Sequence, residues 1–294
     1  MTGLASDPAL AAMAPYAALV LGLVVGSFLN VVILRLPRRM HAELAASCAE
    51  MRGEQVEPLP SRWFGLDYLI SPGSTCPHCG HAIRAWENIP VLSYLLLRGR
   101  CSSCATPIGV RYPVVEAVTG LLSLLVVWHF GIGLAAAAAL LLVWALVALT
   151  VIDIDEQLLP DQLTLPLVWV GLLVNLDATF IDLRSAVIGA AAGYLSLWLV
   201  FQVFRLLTGR EGMGYGDFKL LAVIGAFLGW QLLPLVILLS SLVGAVVGIG
   251  MVMLRSRDRQ IPIPFGPYLA AAGLIALLWG EQINRAYLQL AGVA

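Results

Sequence analysis

Apolar residues gather in eight long blocks, approximately 16–34, 113–130, 133–152, 162–178, 185–204, 217–232, 233–254 and 265–281, with polar residues between them. Each block approaches the ~20 residues a helix needs to cross a bilayer, so the pattern predicts eight transmembrane helices. Pro113, the pair Gly131 and Gly133, and Pro234 punctuate the joins, several of which read as tight hairpins. Only one polar interruption, residues 35–112, is long enough to be a domain. The chain is therefore expected to comprise an N-terminus with a first transmembrane helix (1–34), a polar domain (35–112) and a seven-helix membrane core (113–294). That is an all-α polytopic membrane protein with one insertion after its first helix.

Composition agrees with this reading. The chain is 60% hydrophobic and 12% charged, where a soluble domain has roughly 45–50% and about 25%. A lipid bilayer is thus its first expected partner, and no nucleic-acid partner is expected. No Lys or Arg precedes Arg35, so the basic start of a cleaved signal peptide is missing and the first block is expected to stay in the mature protein. The placement of charge says more than the formal total of -1. Of 17 Lys and Arg residues, the nine from Arg35 to Arg111 lie in the first polar loop, and Arg205, Arg210, Lys219, Arg255, Arg257 and Arg259 share its side. Arg184 and Arg285 alone fall opposite. By the positive-inside rule the polar domain faces the cytoplasm and both termini lie outside.

A polar region of this size is small for a self-sufficient core and needs a staple. Cys76-Pro-His-Cys79 and Cys101-Ser-Ser-Cys104 supply one: two C-x-x-C knuckles 21 residues apart, close to four-cysteine zinc spacing. A closed four-sulfur site predicts structural Zn²⁺ with no catalytic role. A disulfide framework conflicts with a reducing cytoplasm, and a thioredoxin-like site would need a βαβ pattern that is not visible. His78 and His81 are close by but surplus to a filled tetrahedron; Cys48 lies outside the pattern, and Gly80 suits the positive φ of a knuckle turn. Between the knuckles, Arg84-Ala-Trp-Glu-Asn-Ile-Pro90 through Leu95 reads as a segment docked on the membrane face. The functional alternative is a small-molecule or peptide site using Glu87 and Asn88. No G-x-G-x-x-G fingerprint appears, so any nucleotide-like cofactor must be held another way.

Two acidic motifs at the ends of apolar blocks carry the candidate chemistry. Asp153-Ile-Asp155 closes the third block, and Gly212-Met-Gly214-Tyr-Gly216-Asp217 opens the sixth. Ionised groups in hydrocarbon are costly and mark pathways, partners or catalytic sites. Residues two apart on a helix face different ways, so Asp153 and Asp155 cannot form a dyad; Asp155 and Glu156 read as solvated loop charges. Asp161 and Asp217 each have a plainer reading as helix caps, and Lys219 either neutralises a neighbour or snorkels to headgroups. If Asp153 and Asp217 converge, they share one proton: one member activates water as base, and the other donates to the peptide carbonyl and then assists the leaving nitrogen. Gly214 and Gly216 would support this loop by opening the helix edge to water and an unwound substrate.

At these residues the chain resembles a known family, the bacterial type IV prepilin peptidases, which are bifunctional leader peptidases and N-methyltransferases of the inner membrane. The resemblance rests on Gly26-Ser-Phe-Leu-Asn-Val-Val32, the paired knuckles around Arg84–Pro90, the Asp153 segment, the Gly-Met-Gly-Tyr-Gly-Asp segment and Ile263-Pro-Phe-Gly-Pro267. It implies an aspartic peptidase with catalytic Asp153 and Asp217 that cuts the basic leader from prepilins and pseudopilins after a glycine, on the cytoplasmic side. It further implies methylation of the new N-terminal residue, often Phe, with S-adenosylmethionine. Cys76, Cys79, Cys101 and Cys104 would support that step through folding, while the residues that hold S-adenosylmethionine stay open. Asp155, Glu156 and Asp161 can attract a basic leader electrostatically.

Two other classes compete. A proton-coupled transporter would place its acids at the midplane, between repeated halves, and an assembly scaffold would not need two glycine-assisted aspartates. Ser27 and Asn30 read as helix-packing hydrogen-bonders, with a substrate-facing role as the alternative. Trp128, His129 and Trp279 read as interfacial side chains. The Pro-rich entry to the last block, residues 261–267, is placed at the rim of the site.

Overall fold

The computed structural model describes residues 8–54, 67–71, 73–254 and 264–290; Arg62, Arg255, Arg257, Arg259 and residues 261–263 of the sequence reading lie outside them. Among the described residues the chain is helical, with isolated β-bridges only. The helices are α1 Pro8–Met51, α2 Asp67–Ile70, α3 Leu92–Leu96, α4 Arg111–Phe130, α5 Leu134–Glu156, α6 Asp161–Val174, α7 Leu183–Thr208, α8 Tyr215–Leu228, α9 Leu233–Leu254 and α10 Gly266–Leu290. They form two compact units, Met1–Trp128 and His129–Ala294.

A helix overlies each of the eight apolar blocks, but the helices differ in kind. Among the described residues five segments are long and apolar enough to cross a membrane: Ala9–Met51, Arg111–Phe130, Leu134–Glu156, Leu183–Thr208 and Trp230–Gly250. Helices α6 and α8 have 14 residues each; at ~1.5 Å per residue each reaches about 21 Å, short of a ~30 Å hydrocarbon layer. The reason is visible in α8, where Phe218, Leu220, Leu221, Val223, Ile224 and Phe227 are all fully buried. It is apolar because protein surrounds it, with α6, α7 and α10 packed against it. Helix α10 turns polar beyond Trp279, at Glu281, Gln282, Asn284 and Arg285.

The first helix also differs from expectation. Charge ends the apolar block at residue 34, yet α1 runs 44 residues to Met51 with Pro37 inside it. Residues 38–51 are rich in Arg, Met, Ala, Glu and Leu, all strong helix formers, and Arg39 Nε pairs with Glu43 at 2.6 Å one turn on. In the N-terminal unit, α1 meets α4 through small residues. A Cβ at Gly22 would strike Ser123, one at Gly26 would lie 2.7 Å from Glu116 Cα, and one at Gly120 would lie 2.9 Å from the Leu23 side chain. Close approach through such stripes replaces the hydrophobic drive that lipid cannot supply.

In the C-terminal unit α7 and α8 touch backbone to backbone, because Gly189 faces Gly225 and a Cβ at Gly193 would lie 2.6 Å from the Leu221 carbonyl oxygen. Fully buried Asn175 then pins the loop before α7 to the end of α8. Its Nδ2 donates to the Ala226 and Phe227 carbonyls at 2.9 and 3.0 Å, and its Oδ1 accepts from the N–H groups of Phe180 and Ile181 at 3.0 and 3.2 Å. This satisfies carbonyls that a helix end leaves without partners. Surfaces differ as well: 61% of the α5 window is buried against 17% for the α9 window, which turns most of its apolar surface outward.

Candidate active site and metal centre

Asp153 sits one turn before the end of α5. Gln157 adopts the left-handed conformation, φ 52° and ψ 41°, and its N–H returns to the Asp153 carbonyl at 3.0 Å, which stops the helix there. The carboxylate is 5% exposed and accepts a 2.9 Å hydrogen bond from the Gly266 N–H at the start of α10. A Cβ at Gly266 would lie 2.7 Å from Asp153 Oδ2, so any larger residue here must displace the Asp153 carboxylate. Asp155 and Glu156 are exposed at the same helix end, and Asp155, two residues on, lies on a different face from the buried acid.

Asp217 occupies the third position of α8, whose N-cap is Gly214. It is therefore no N-cap itself; its carboxylate reaches back to the backbone of Gly214, the reciprocal half of a capping box. It is 6% exposed and close enough to Asp153 for their charges to interact. Two acids 64 positions apart in sequence are thus brought together by the end of α5 and the start of α8. Glycine serves here by closeness, without a left-handed backbone. Gly214 is extended at φ -79°, and a Cβ at Gly216 would lie 2.6 Å from Leu159 Cβ. Tyr215 remains half exposed, its ring against Phe201 and Phe218. Asp161 caps nothing either: Pro160 is the N-cap of α6, and Asp161 Oδ1 accepts a 2.6 Å charged hydrogen bond from Lys219 Nζ, which accounts for both residues.

The two cysteine knuckles are copies of one turn. In the first, the Cys76 N–H donates to the His81 carbonyl and the Gly80 N–H to the Cys76 carbonyl, both at 2.9 Å. In the second, the Cys101 N–H donates to Thr106 at 2.9 Å and the Ala105 N–H to Cys101 at 3.0 Å. Gly80 and Ala105 hold equivalent positive φ values, 71° and 57°. The sulfurs of Cys76, Cys79, Cys101 and Cys104 all lie within 4.8 Å of one another. Cys76 and Cys104 sulfurs are 3.8 Å apart, close to the roughly 3.8 Å edge of a tetrahedron with ~2.3 Å metal–sulfur bonds. The donor set and its size fit a metal ion. Cys48, on α1, is outside the cluster, as are both histidines.

His81 instead joins Glu87. The Glu87 carboxylate accepts from the Arg84 N–H at 2.8 Å and the Ser102 hydroxyl at 2.6 Å, with His81 Nε2 at 3.2 Å. The Arg84 N–H, then the Ser102 hydroxyl and His81, hold its carboxyl down at about 2. Glu87 therefore clamps the two knuckles together.

A third buried acid was not singled out from the sequence. Glu116, 9% exposed on α4, accepts a 2.8 Å hydrogen bond from the Val91 N–H and another from the Ser27 side chain. Val91 stands at φ 59° and ψ -47°, and the Leu92 N–H reaches the Pro90 carbonyl at 2.6 Å across it. That is a γ-turn of the rare positive-φ kind, strained for any β-branched residue. The signal was present as an acid inside the second apolar block. Beside it, Asn30 Nδ2 donates to the Tyr112 carbonyl at 3.2 Å and the Gly26 carbonyl at 3.3 Å, the packing role expected of it.

Two buried acids within range of each other's charge and a separate four-thiol cluster are the two candidate centres of this chain, and comparison with known proteins says which family carries them. Residues 20–130 match the bacterial peptidase A24 N-terminal domain, and residues 140–249 match the type IV leader peptidase family. Curated relatives named prepilin leader peptidase/N-methyltransferase are similar over nearly the whole chain. The Pseudomonas aeruginosa protein is 58% identical over 93% of both chains, and that of Aeromonas hydrophila is 58% identical over 90% of this chain and 91% of its own. That of Burkholderia pseudomallei is 53% identical over 94% and 87%. No solved structure matches. The chain belongs to the type IV leader peptidase family, as a peptidase joined to a methyltransferase.

Proposed function

We propose that this protein processes type IV prepilins and pseudopilins in the bacterial inner membrane, cutting the basic leader after a glycine at the cytoplasmic face and then methylating the new N-terminal residue. The observation that carries the cleavage step is the encounter of Asp153 and Asp217, both buried, at adjoining helix ends. Like charges so close do not both ionise, so the pair holds one proton. The ionised carboxylate takes a proton from water as that water attacks the scissile carbonyl. The protonated one hydrogen-bonds the carbonyl oxygen and then passes its proton to the departing nitrogen. The Gly266 N–H holds Asp153 in orientation throughout.

In this reading all eight apolar helices cross the membrane, with the short α8 enclosed by its neighbours and the short α6 at the surface of the bundle. The polar domain and the aspartates face the cytoplasm, and both termini face the periplasm. A prepilin presents an apolar helix behind a basic leader, which places its cleavage point at the depth of the acids. Cys76, Cys79, Cys101 and Cys104 hold structural Zn²⁺, and S-adenosylmethionine is the methyl donor.

The test is leader removal from a prepilin by the purified protein in lipid, followed by intact mass. Wild type should remove the leader and add one methyl group, while folded Asp153→Asn and folded Asp217→Asn should leave the leader on. Normal cleavage by either variant would transfer the base or acid role to another residue.

A further inference from the structure

Lys219 follows Asp217 by two residues on α8, and the proton chemistry above gives it no task. Its ammonium donates to Asp161 Oδ1 at 2.6 Å, at the first residue of α6. Asp161 ends the short turn, residues 157–160, that leaves α5 one helical turn after Asp153. The same turn touches α8 a second time: Leu159 is buried against Gly216, where a Cβ would lie 2.6 Å from Leu159 Cβ. These contacts bracket Asp217, one at the residue before it and one two residues after it. Pro160 stiffens the path between them. Its ring fixes φ at -60°, and its carbonyl accepts from the N–H groups of Leu163 and Thr164, both at 3.1 Å. A short, stiff connection thus runs from Asp153 to Asp161, and the ion pair fastens its far end to the helix of Asp217.

The two contacts differ in kind. Leu159 against Gly216 is apolar and non-directional, so it tolerates sliding, whereas a charged hydrogen bond adds a fixed direction. An ion pair with an exposed partner adds little to stability; what this one supplies is register between the end of α5 and the start of α8. We propose that the Lys219–Asp161 ion pair sets the geometry of the peptidase site, with Lys219 as the positioning residue that keeps Asp217 at its working distance from Asp153. The proposal rests on the two-aspartate reading above. It also withdraws Asp161 from attracting the substrate's basic leader, because Lys219 already answers its carboxylate.

The experiment uses the full-length protein in lipid nanodiscs and two prepilins that differ only in the leader, basic in one and with its Lys and Arg replaced by Gln in the other. Lys219→Met and Asp161→Ala should each lower kcat for cleavage about ten- to a hundredfold, the cost of a misplacement on the order of 1 Å. KM should stay within about twofold of wild type for both substrates, as expected when only alignment of the reacting groups is lost. The C-terminal unit should resist limited proteolysis as in wild type; Asp161 is exposed, so Asp161→Ala carries the test if Lys219→Met does not fold. The reversed pair, Lys219→Asp with Asp161→Lys, restores the bond while inverting the charge beside Asp217, and should recover most of the lost kcat. Wild-type kcat in a folded Lys219→Met or Asp161→Ala protein would overturn the proposal. A reversed pair no faster than the single variants would assign the loss to the field of the ammonium at Asp217, and a rise in KM confined to the basic leader would assign Asp161 to leader recognition; either removes the positioning role. Normal cleavage by Asp153→Asn or Asp217→Asn removes the two-aspartate reading and the proposal together, whereas loss of cleavage in both beside wild-type kcat in Lys219→Met removes the proposal only.

Discussion

Both units bury acid near a helix end, but they spend it differently. In the N-terminal unit a single carboxylate, Glu116, is answered by a backbone N–H and a hydroxyl, and it shapes a turn. In the C-terminal unit Asp153 and Asp217, each with backbone support, lie within range of each other's charge. A buried carboxylate bonded to neutral donors is a structural tie; two buried carboxylates in mutual range are, in the function proposed above, the pair that handles the proton. Individual glycine contacts differ too: Gly189 and Gly225 meet backbone to backbone beside the aspartate-bearing α8, whereas Gly120 meets the Leu23 side chain.

Removing metal should separate the units most sharply. Structural zinc contributes about 10–16 kcal/mol to small four-ligand domains, so a strong chelator should open residues 73–110 to limited proteolysis while the C-terminal unit stays resistant. Simultaneous digestion of both would erase the distinction. Next in size, Asp153→Asn and Asp217→Asn should slow leader cleavage by at least about a thousandfold, within the range for loss of acid–base catalysis. Glu116→Gln should cleave at the wild-type rate, and a comparable loss there would make all three acids one site.

The seams give a smaller effect. Gly225→Ala should destabilise by about 3 kcal/mol or more and Gly120→Ala by roughly 1 kcal/mol, spanning the usual cost of overpacking; unfolding in mixed micelles would rank them. Smallest of all, Ala105→Gly should stabilise the cysteine region by about 1 kcal/mol by relieving a left-handed alanine. Gly80→Ala should reverse that gain at the twin position, and unequal responses would show that the knuckles are not equivalent.

The features readable from sequence are those in which a residue's chemistry is independent of its neighbours. Thiols at C-x-x-C spacing and aspartates at the ends of apolar blocks stand out whatever surrounds them. Features that depend on what lies opposite were hidden. Hydropathy does not distinguish protein from lipid as the apolar surroundings of α8, so the enclosure of its 14 residues by other helices was not legible in the sequence. Charge at Arg35 marks the end of an apolar block without ending the helix, since Arg and Glu are good helix formers. Glu116 and Asn175 lay within or beside apolar blocks as isolated polar residues. Their roles come from partners 25 and 51 positions away, Val91 and Ala226.

The central claim is that the two aspartates cut and do nothing else. Its most direct test is one sample of folded Asp217→Asn protein in lipid, given S-adenosylmethionine with an intact prepilin and, in parallel, a cleaved one, each read by intact mass. The account predicts an uncut prepilin beside a cleaved chain that gains one methyl group at the wild-type rate. Cleavage of the intact substrate, or failure to methylate the cleaved one, would contradict it.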